Sequence, residues 1–337
     1  MPLCNELLDS SASTWLVTGG GGFIGSHIVE HLLSHNQQVT VLDDFSTGHQ
    51  RNLKAAVTGA GPGADTRLQV VEGDVTDAGA CRNACTGASF VLHLAALGSV
   101  PLSMEQPVRT HEANVSGMVQ LLEAARTAGV RRLVYSSSSA VYGDGPGLPK
   151  TESMPPAPLS PYAASKWIDE IYANIWWQCY GLETVGLRYF NVFGPRQDPA
   201  GSYAAVIPAW VDAMIHGRPV TINGDGLNTR DFCYVGNVVE ANILAALTER
   251  RKLPGAVCNV ATGGKATLLE LFHALQSILL EKRPGTIMPD PVHGPPRPGD
   301  IVHSQADITL AYELLGYRPA IDLHQGLRRS MDFYLRG

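Results

Sequence analysis

A run of glycines near the N-terminus limits what this chain can fold into more than any other feature. Residues 18–25 read TGGGGFIG, and they stand between a short apolar run (15–18) and a helical pattern from residue 23 to about 34. A strand that passes into a helix through closely spaced glycines is typical of α/β folds that bind a dinucleotide. A structural turn without a ligand is the alternative.

The glycines at positions 19, 22 and 25 have separate roles in such a turn. Gly19 permits the tight turn, Gly22 lets a pyrophosphate approach the backbone, and Gly25 allows the helix to pack closely on the sheet. The first backbone N–H groups of the helix, those of Phe23 and Ile24, then face the phosphates at the positive end of the helix dipole.

Asp43 ends the second apolar run, roughly 20 residues after the glycines, where an acid binds the adenosine ribose in NAD sites. No arginine stands beside it, so we expect NAD rather than NADP as the cofactor. Asp74 and Val75 follow the third run (68–72) and are expected to contact the adenine. A simple turn at the strand end is the alternative for these two residues.

Apolar strand-like runs alternate with helical segments through the first half of the chain. This alternation predicts an α/β Rossmann fold, a doubly wound parallel sheet covered by helices on both faces. The Gly- and Ala-rich segment 56–64 is predicted to be a surface loop. Strands are predicted at 15–18, 39–43, 68–72, 90–94, 132–136 and 184–188, and helices at 23–34, 103–128 and 161–180.

The pattern loosens into mixed elements with many Pro and Gly residues after about residue 195. We therefore predict a dinucleotide-binding Rossmann domain over residues 14–195, which carries the catalytic residues. A smaller mixed α/β substrate lobe is predicted over residues 196–337, partly interwoven with the first domain.

Charge and cysteine usage exclude several classes of protein. The formal net charge of −6 argues against a nucleic-acid partner held by a diffuse basic surface. No stretch is apolar and long enough to span a bilayer, and residues 1–13 contain no basic residue, so neither a membrane anchor nor a secretory signal is expected. Cys81 and Cys85 share a predicted helix face without ligand-spaced partners, so we expect reduced thiols, no metal site and a cytoplasmic location.

Tyr162 and Lys166 form a YxxxK pair, and their spacing places both side chains on one face of a predicted helix. A free tyrosine has a pKa of about 10, so a neighbouring ammonium and the positive nicotinamide ring are needed to favour a phenolate base. Lys166 can also hydrogen-bond the nicotinamide ribose. A tyrosine that only packs in the core is the alternative.

Four serines (136–139) end the fifth predicted strand upstream of this pair. A hydroxyl there can hydrogen-bond the substrate oxygen while its proton moves. Hydroxyls that merely bond the backbone at the strand end are the alternative.

These motifs resemble those of the extended short-chain dehydrogenase/reductases, from near residue 14 to the C-terminus. The resemblance implies that Ser138, Tyr162 and Lys166 form the catalytic set, because Ser138 stands four residues before Tyr142, as the family's catalytic Ser or Thr does. The matching segments are TGGGGFIG at 18–25, SSSSAVYGD at 136–144, YAASK at 162–166, RYFNVFGP at 188–195, RDFCYV at 230–235 and RPGD at 297–300.

The residues after Ser138 distinguish the reactions within this family. Relatives that eliminate water or lose a carboxylate carry acidic residues there, whereas Ser139 and Ala140 follow here and cannot transfer the required proton. We therefore expect a 4-epimerase rather than a 4,6-dehydratase or a decarboxylase. Tyr162 would take the proton of the 4-hydroxyl, and tightly bound NAD would hold the hydride until it returns to the opposite face of the 4-keto sugar.

The resemblance implies a UDP-sugar as the substrate. It places Arg230 and Arg297 at the diphosphate, for which a planar guanidinium is well suited, and Asp300 at the uridine ribose. A surface ion pair is the alternative for either arginine. Three further residues are expected at the nucleotide: Asn191 at a phosphate oxygen, and Ala205 and Val206 beside the uracil.

Two small residues address sugar specificity. Resembling epimerases restricted to glucose and galactose carry a tyrosine at the position of Ser304 and a lysine at that of Gly98. A small residue at position 304 leaves room for a 2-acetamido group, and Gly98 departs from the galactose-type pattern. The chain resembles in particular the bacterial epimerases of UDP-GlcNAc or its uronic acid. Gly98, Ser139, Gln197 and Ser304 would then surround the sugar.

We predict a UDP-N-acetylhexosamine 4-epimerase that interconverts UDP-GlcNAc and UDP-GalNAc. The uronic acid UDP-GlcNAcA and UDP-glucose are alternative substrates, and a dehydratase or decarboxylase is the alternative reaction. A non-catalytic NAD-binding regulator is the alternative from another class of protein. The resemblance also implies a homodimer joined by a four-helix bundle, built from the helices at about 103–128 and 160–180.

Overall fold

Strands and helices alternate along the computed structural model, which describes residues 2–10, 12–145, 147–199, 205–250, 253–295 and 302–336. The strands are β1 Thr14–Thr18, β2 Gln38–Asp43, β3 Leu68–Glu72, β4 Phe90–His93, β5 Arg132–Ser138, β6 Glu183–Tyr189, β7 Val192–Phe193, β8 Thr221–Asn223, β9 Thr229–Arg230, β10 Cys233–Tyr234, β11 Val257–Val260, β12 Ala266–Thr267 and β13 Val292–Gly294. The helices are α1 Pro2–Asp9, α2 Phe23–Ser34, α3 Gln50–Ala60, α4 Ala78–Cys85, α5 Val100–Glu105, α6 Pro107–His111, α7 Gly117–Thr127, α8 Pro161–Tyr180, α9 Val206–Ile215, α10 Val235–Leu247, α11 Leu268–Lys282, α12 Thr309–Leu315 and α13 Leu323–Tyr334.

Seven strands form one parallel sheet in the order β11-β6-β5-β4-β1-β2-β3. The order 3-2-1-4-5-6 within it is typical of Rossmann folds, and it confirms the predicted fold class. The strand order reverses between β1 and β4, where Thr18 pairs with His93. Ligands of such sheets bind outside the carboxyl ends of the strands at this reversal, so the fold places a site there.

Helices cover both faces of the sheet, as its apolar strands require. On one face α2 packs against α3 and α10, and on the other α4 packs against α7, which contacts α8. All four residues of β4 are buried, because this central strand is covered from both sides. The carboxyl edge of the sheet is therefore a rigid platform for side chains that leave the strand ends.

The prediction of a surface loop over residues 56–64 is wrong for its first half. Residues 56–60 belong to α3, whose Leu53 and Ala56 are buried against α2. The helix ends at Gly61, which has a φ of +93°. Tertiary packing of two apolar side chains outweighs the low helix propensity of Gly59 here.

The single helix predicted over residues 103–128 is also wrong, because the segment is divided. Pro107 lacks the N–H that a helix interior needs, so α5 ends before it and α6 begins with it. A π-helical turn, Glu112–Ser116, then connects α6 to α7. Such turns are rare and are frequent at functional sites.

The second half of the chain contains longer helices than its sequence pattern suggests. Helices α9, α11 and α13 pack around a separate apolar core that includes Trp210 and Phe272. Strand β11 nevertheless returns to the main sheet and pairs with β6. The domain boundary near residue 195 remains a prediction. The return of β11 to the main sheet agrees with the part of that prediction in which the two domains are interwoven.

Among the described residues no helix is long and apolar enough to cross a membrane. That part of the chain also contains no group of three or more His, Cys, Asp or Glu side chains placed to hold a metal ion. All six cysteines are free thiols; Cys179 is exposed and the other five are buried.

Candidate active site

A cavity of about 780 Å³ opens at the carboxyl edge of the sheet. It is lined by the glycine-rich turn, by residues that follow β2, β3 and β4, and by the start of α8. The cavity brings together most of the predicted site residues: Gly19, Gly22, Phe23, Ile24, Gly25, Asp43, Asp74, Val75, Gly98, Ser138, Ser139, Tyr162, Lys166, Asn191 and Gln197.

The glycine-rich turn forms a cradle that side chains would fill. Gly19 has a φ of +68°, and a Cβ on it would lie 2.7 Å from the backbone N of Ala95. A Cβ on Gly25 would lie 2.1 Å from the carbonyl O of Gly19. Gly22 precedes α2 without a side-chain cap, so the first N–H groups of this helix point to the cavity without a capping oxygen. This arrangement suits the pyrophosphate of NAD.

Asp43, predicted to bind the adenosine ribose, lines the cavity beside the glycine-rich turn. Its Oδ2 accepts a 2.7 Å hydrogen bond from the N–H of Gly21, and its Oδ1 accepts one of 2.8 Å from Phe45. Burial raises the pKa of this carboxyl, and the two N–H donors oppose that effect. Each oxygen retains a lone pair for a ribose hydroxyl.

The loop after Asp43 also lines the cavity through Ser46, Thr47 and Gly48. It is fastened to the glycine-rich turn, because the N–H of His49 at its end donates to the carbonyl O of Gly21 at 2.9 Å. The side-chain amide of Asn52, in the first turn of α3, donates to the same oxygen at 2.9 Å. The sequence analysis missed this loop. The polar, glycine-ended segment directly after the ribose acid was the signal that could have indicated it.

The start of α8 positions Tyr162 and Lys166. The hydroxyl of Ser160 caps the helix by accepting from the N–H of Ala163 at 3.1 Å, and Pro161 occupies the first helical position. Tyr162 lies in this first turn and is half-buried, whereas Lys166, one turn later, is 2% exposed. Both line the cavity, so the shared face predicted from their spacing is the face that borders it.

Adjacent serines at the end of β5 face different surroundings, as the alternation of a strand requires. The Oγ of Ser137 donates a 2.5 Å hydrogen bond to Oε1 of buried Glu170. The Oγ of Ser138 instead accepts from the N–H of Ala140 at 3.1 Å, which leaves its own O–H available as a donor. Of the two, Ser138 has the hydroxyl that can serve a substrate oxygen.

A buried ion pair supports the floor beneath these residues. Arg188 of β6 donates to Glu170 of α8 through Nε at 2.9 Å and Nη2 at 2.7 Å, and its guanidinium lies 4.6 Å from the ring centre of Tyr142. The pair fixes α8 against the sheet. The sequence analysis did not identify Glu170, because an acid four residues after Lys166 has no distinctive pattern of its own.

Asn114, in the π-helical turn, connects two walls of the cavity. Its Oδ1 accepts from the N–H of Leu97 at 2.8 Å, and its Nδ2 donates to Oγ of Ser165 at 2.9 Å. The wall that contains Gly98 is thereby tied to the helix that carries Lys166. Asn114 is fully buried, and its polar atoms are satisfied by these partners. The sequence analysis missed it, because a single asparagine in this segment has no distinctive pattern.

His93 ends β4 beneath the cavity and is 1% exposed. Its Nδ1 lies 2.7 Å from Oγ1 of Thr18, and among the described residues its Nε2 has no hydrogen-bond partner. Burial, and then the charge of Lys166, lowers its pKa to about 3. His93 is therefore a neutral imidazole near neutral pH.

The predicted nucleotide contacts are only partly assembled in the described structure. Arg230 donates through Nη1 to the carbonyl oxygens of Thr229 and Val302, and the N–H of Ser304 donates to Thr229 O at 3.0 Å. Arg297 and Asp300 lie outside the described residues. The described lining of the cavity does not include Ala205, Val206, Arg230 or Ser304.

Comparison with known proteins places this site in a family. Residues 15–261 match the model of the NAD dependent epimerase/dehydratase family. A UDP-glucose 4-epimerase of Mycolicibacterium smegmatis is 38% identical over 326 residues, which cover 95% of this chain and 97% of that protein.

Solved structures agree with this match along almost the whole chain. A UDP-N-acetylglucosamine 4-epimerase from Methanobrevibacter ruminantium, in complex with UDP-N-acetylmuramic acid, superposes with a TM-score of 0.88 and 38% identity, covering 97% of this chain and 99% of that one. A UDP-glucose 4-epimerase from Thermus thermophilus, in complex with NAD, gives a TM-score of 0.82 and 37% identity, with 96% and 99% covered. The predicted resemblance and the predicted cofactor, NAD, are confirmed: the chain belongs to the NAD-dependent epimerase/dehydratase family.

Proposed function

We propose that this protein is a UDP-N-acetylhexosamine 4-epimerase that interconverts UDP-GlcNAc and UDP-GalNAc. The family and its UDP-sugar 4-epimerase members support the reaction class. One observation carries the choice of sugar. Gly98 lines the cavity, and a Cβ on it would meet no heavy atom of the described residues within 4 Å. This open space supports a sugar site that admits a 2-acetamido group beside Gly98.

The residues of the chain divide the proton work of the reaction. Tyr162 takes the proton of the 4-hydroxyl. It later returns the proton to the same oxygen, after the hydride has added to the opposite face of the 4-keto sugar. Ser138 donates a hydrogen bond to the same oxygen, and the Lys166 ammonium favours the phenolate and holds the nicotinamide ribose. NAD, held by the glycine-rich turn and Asp43, would supply a reversible hydride acceptor for C4, and substrate and product would then have the same oxidation state.

The position of the carboxylates favours epimerisation over elimination. Among the described residues that line the cavity, Ser136 to Ala140 form a wall without an acid. A 4,6-dehydratase or a decarboxylase needs an additional proton donor or acceptor beside the catalytic hydroxyl, and this wall offers none. The acids in that lining lie at the end of β2, in the segments after β2 and β3 and in the π-helical turn: Asp43, Asp44, Asp74 and Glu112.

Gln197 supports the choice of an acetamido sugar. It lines the cavity, its Nε2 donates to the carbonyl O of Val192 at 3.3 Å, and its buried Oε1 has no hydrogen-bond partner among the described residues. A buried acceptor without a partner costs about 1–3 kcal/mol, which an amide N–H of the substrate would recover. We therefore assign Gln197, with Gly98, Ser139 and Ser304, to the sugar.

The nucleotide half of the substrate is assigned to the residues near the end of the chain. Arg230 donates to the backbone carbonyls of Thr229 and Val302, and Val302 comes two residues after Asp300 in the sequence. We propose Arg230, Arg297 and Asn191 for the diphosphate and Asp300 for the uridine ribose. Ala205 and Val206 are proposed to lie beside the uracil.

The helices beside the cavity also support the proposed homodimer. Helices α5 and α6 pack on α8, and together they expose Met104 (62%), Val108 (68%), Ile171 (44%) and Ile175 (39%). We call these four residues on three adjoining helices the apolar strip, and exposed apolar side chains of this kind suit a second copy related by a two-fold axis. The free thiols fit a reducing compartment, so we propose a cytoplasmic location.

Incubation of the protein with a panel of UDP-sugars, followed by chromatographic separation of the products, tests the proposed function. We expect UDP-GlcNAc and UDP-GalNAc to interconvert with a higher kcat/KM than UDP-glucose and UDP-galactose. Gly98→Leu should lower activity on the acetylated pair at least about tenfold more than on the unacetylated pair, since a lost pocket of this size corresponds to about 1–3 kcal/mol. Turnover of UDP-glucose at least equal to that of UDP-GlcNAc would refute the choice of sugar.

A further inference from the structure

The ammonium of Lys166 has a buried carboxylate beneath it. Its Nζ donates a hydrogen bond to Oδ2 of Asp169 at 3.2 Å, and the two side chains are 2% and 1% exposed. Asp169 stands three residues after Lys166 on α8 and is absent from the described lining of the cavity. It therefore touches neither a sugar nor a cofactor directly, and it acts on the site through the lysine.

A comparison with the next residue shows that Asp169 has no other bonding role in the described structure. Glu170 accepts three hydrogen bonds, two from Arg188 and one from Ser137, so it fastens α8 to the sheet. Asp169 accepts from Lys166 alone, and its Oδ1 is buried without a partner among the described residues. Burying a carboxylate is costly unless it is paired, and in the described structure Asp169 is paired with Lys166, which borders the cavity.

We propose that Asp169 is a positioning residue that holds the Lys166 ammonium at the floor of the cavity and sets how strongly its charge favours the phenolate of Tyr162. The inference rests on the proposed function, because it assigns Lys166 and Tyr162 the roles given there. Asp169 has two effects of opposite sign. Its hydrogen bond orients the ammonium toward the cavity, and its negative charge offsets part of the positive charge that Tyr162 experiences.

The surroundings of Asp169 keep this charge adjustable near neutral pH. Burial raises the pKa of the Asp169 carboxyl to about 6, although Lys166 opposes the shift. The other groups that face the pair are Glu170 on the same helix, Tyr135 on β5 and His93 on β4. Glu170 is neutralised by Arg188 of β6, and burial keeps Tyr135 and His93 uncharged. Asp169 is therefore the group of this set that changes charge around pH 6.

Two substitutions separate the effects. Asp169→Asn retains an oxygen that accepts from Lys166 but removes the charge, so the acid limb of the kcat profile should move to lower pH by about half a unit to one unit. KM for the UDP-sugar should stay within about twofold. Asp169→Leu removes the acceptor as well, so kcat should fall about tenfold or more, and the protein should lose NAD faster during gel filtration.

A readout that does not depend on turnover distinguishes this inference from the proposed function. The phenolate absorbance that disappears in Tyr162→Phe should develop at lower pH in Asp169→Asn than in the unsubstituted protein. Glu183→Gln serves as the control, since Glu183 pairs with the buried guanidinium of Arg132 at the far end of β6 from the cavity. It should leave the absorbance titration and the kcat profile unchanged.

Identical titrations and identical kcat profiles for Asp169→Asn and the unsubstituted protein would overturn the proposal. A folded Asp169→Leu protein with unchanged kcat and unchanged NAD retention would also overturn it. If Asp169→Leu does not fold, the isosteric Asp169→Asn decides the matter alone. A shifted absorbance titration in a protein that epimerises no UDP-sugar would support the role of Asp169 and reject the proposed function.

Discussion

The N–H of Gly21 donates a 2.7 Å hydrogen bond to Oδ2 of Asp43, so the acid at the end of β2 holds the glycine-rich turn in place. A residue assigned to the cofactor is thereby also a support of the turn that cradles it. Removal of the Asp43 carboxylate should weaken NAD binding in two ways, because a ribose contact is lost and the glycine-rich turn is loosened.

Asp43→Ala should weaken NAD binding at least about tenfold, because it leaves the Gly21 N–H without its partner, a cost of about 1–3 kcal/mol, and removes the ribose acceptor as well. Asp43→Asn keeps one acceptor oxygen for Gly21, so its affinity for NAD should lie between those of the alanine variant and the unsubstituted protein. Calorimetric titration of cofactor-depleted protein with NAD measures the difference. Equal affinities for the alanine variant and the unsubstituted protein would show that the acid does not serve the cofactor.

Tyr162→Phe should lower kcat by roughly 10²–10⁴-fold, the usual contribution of a positioned general acid–base group. The ring still packs at the start of α8, so NAD should remain bound. Tyr172→Phe, on the same helix but absent from the described lining of the cavity, is the matched control and should retain full activity. Product formation by chromatography and NAD content by absorbance check the two expectations. Persistent turnover in Tyr162→Phe would require another base.

The buried His93 should make the fold less stable in acid. Burial and the charge of Lys166 lower its pKa from 6.5 to about 3, so in this window the unfolded chain binds a proton that the folded protein does not. Its contribution is complete above pH 6.5 and is lost as the pH falls, by about 1.4 kcal/mol per pH unit. The raised pKa of Asp169 acts in the opposite direction between its usual value of 3.8 and about 6.

Denaturant unfolding at several pH values tests this expectation. The dependence of unfolding free energy on pH below 6.5 should be shallower in His93→Asn than in the unsubstituted protein. His324→Asn, which changes an exposed histidine, should leave the dependence as it is. An unchanged slope in His93→Asn would mean that folding does not change the pKa of this imidazole, and it would contradict the expectation.

Ile175→Glu should convert the proposed dimer to a monomer. The substitution places a charge in the apolar strip on α5, α6 and α8, where desolvation of an unpaired carboxylate costs several kcal/mol. Ile287→Glu is the control, because Ile287 is 87% exposed and lies in the second half of the chain. Sedimentation velocity gives the masses. A monomeric unsubstituted protein would contradict the dimer directly.

The parts of the site that sequence could predict are those governed by local rules. The strand before the glycines, the acid at the end of β2 and the i, i+4 spacing of Tyr162 and Lys166 all depend on near neighbours, and the structure gathers these residues around one cavity. Helix α8 has the predicted bounds, because Ser160 and Pro161 mark its start and Gly181, with a φ of +75°, marks its end.

Features that depend on distant residues were not predictable in the same way. Helix α3 forms because Leu53 and Ala56 find α2, although the segment reads as a glycine-rich loop. Asn114, Glu170 and Asp169 acquire meaning only from partners on other elements or from burial. The short run of β11 lacks a pattern of its own, and its pairing with β6 identifies it as a strand.

Strand β11 has a consequence for how the chain must be made. It supplies the outer edge of the seven-stranded sheet, yet it follows β6 by more than sixty residues and pairs with it from Gly186 to Tyr189. During synthesis the first six strands of the sheet leave the ribosome with an open hydrogen-bonding edge on β6, which stays uncovered until Val260 emerges. A truncated chain that stops near residue 195 would present this edge to its neighbours permanently, so expression of the first half alone should yield aggregates rather than a working cofactor-binding module.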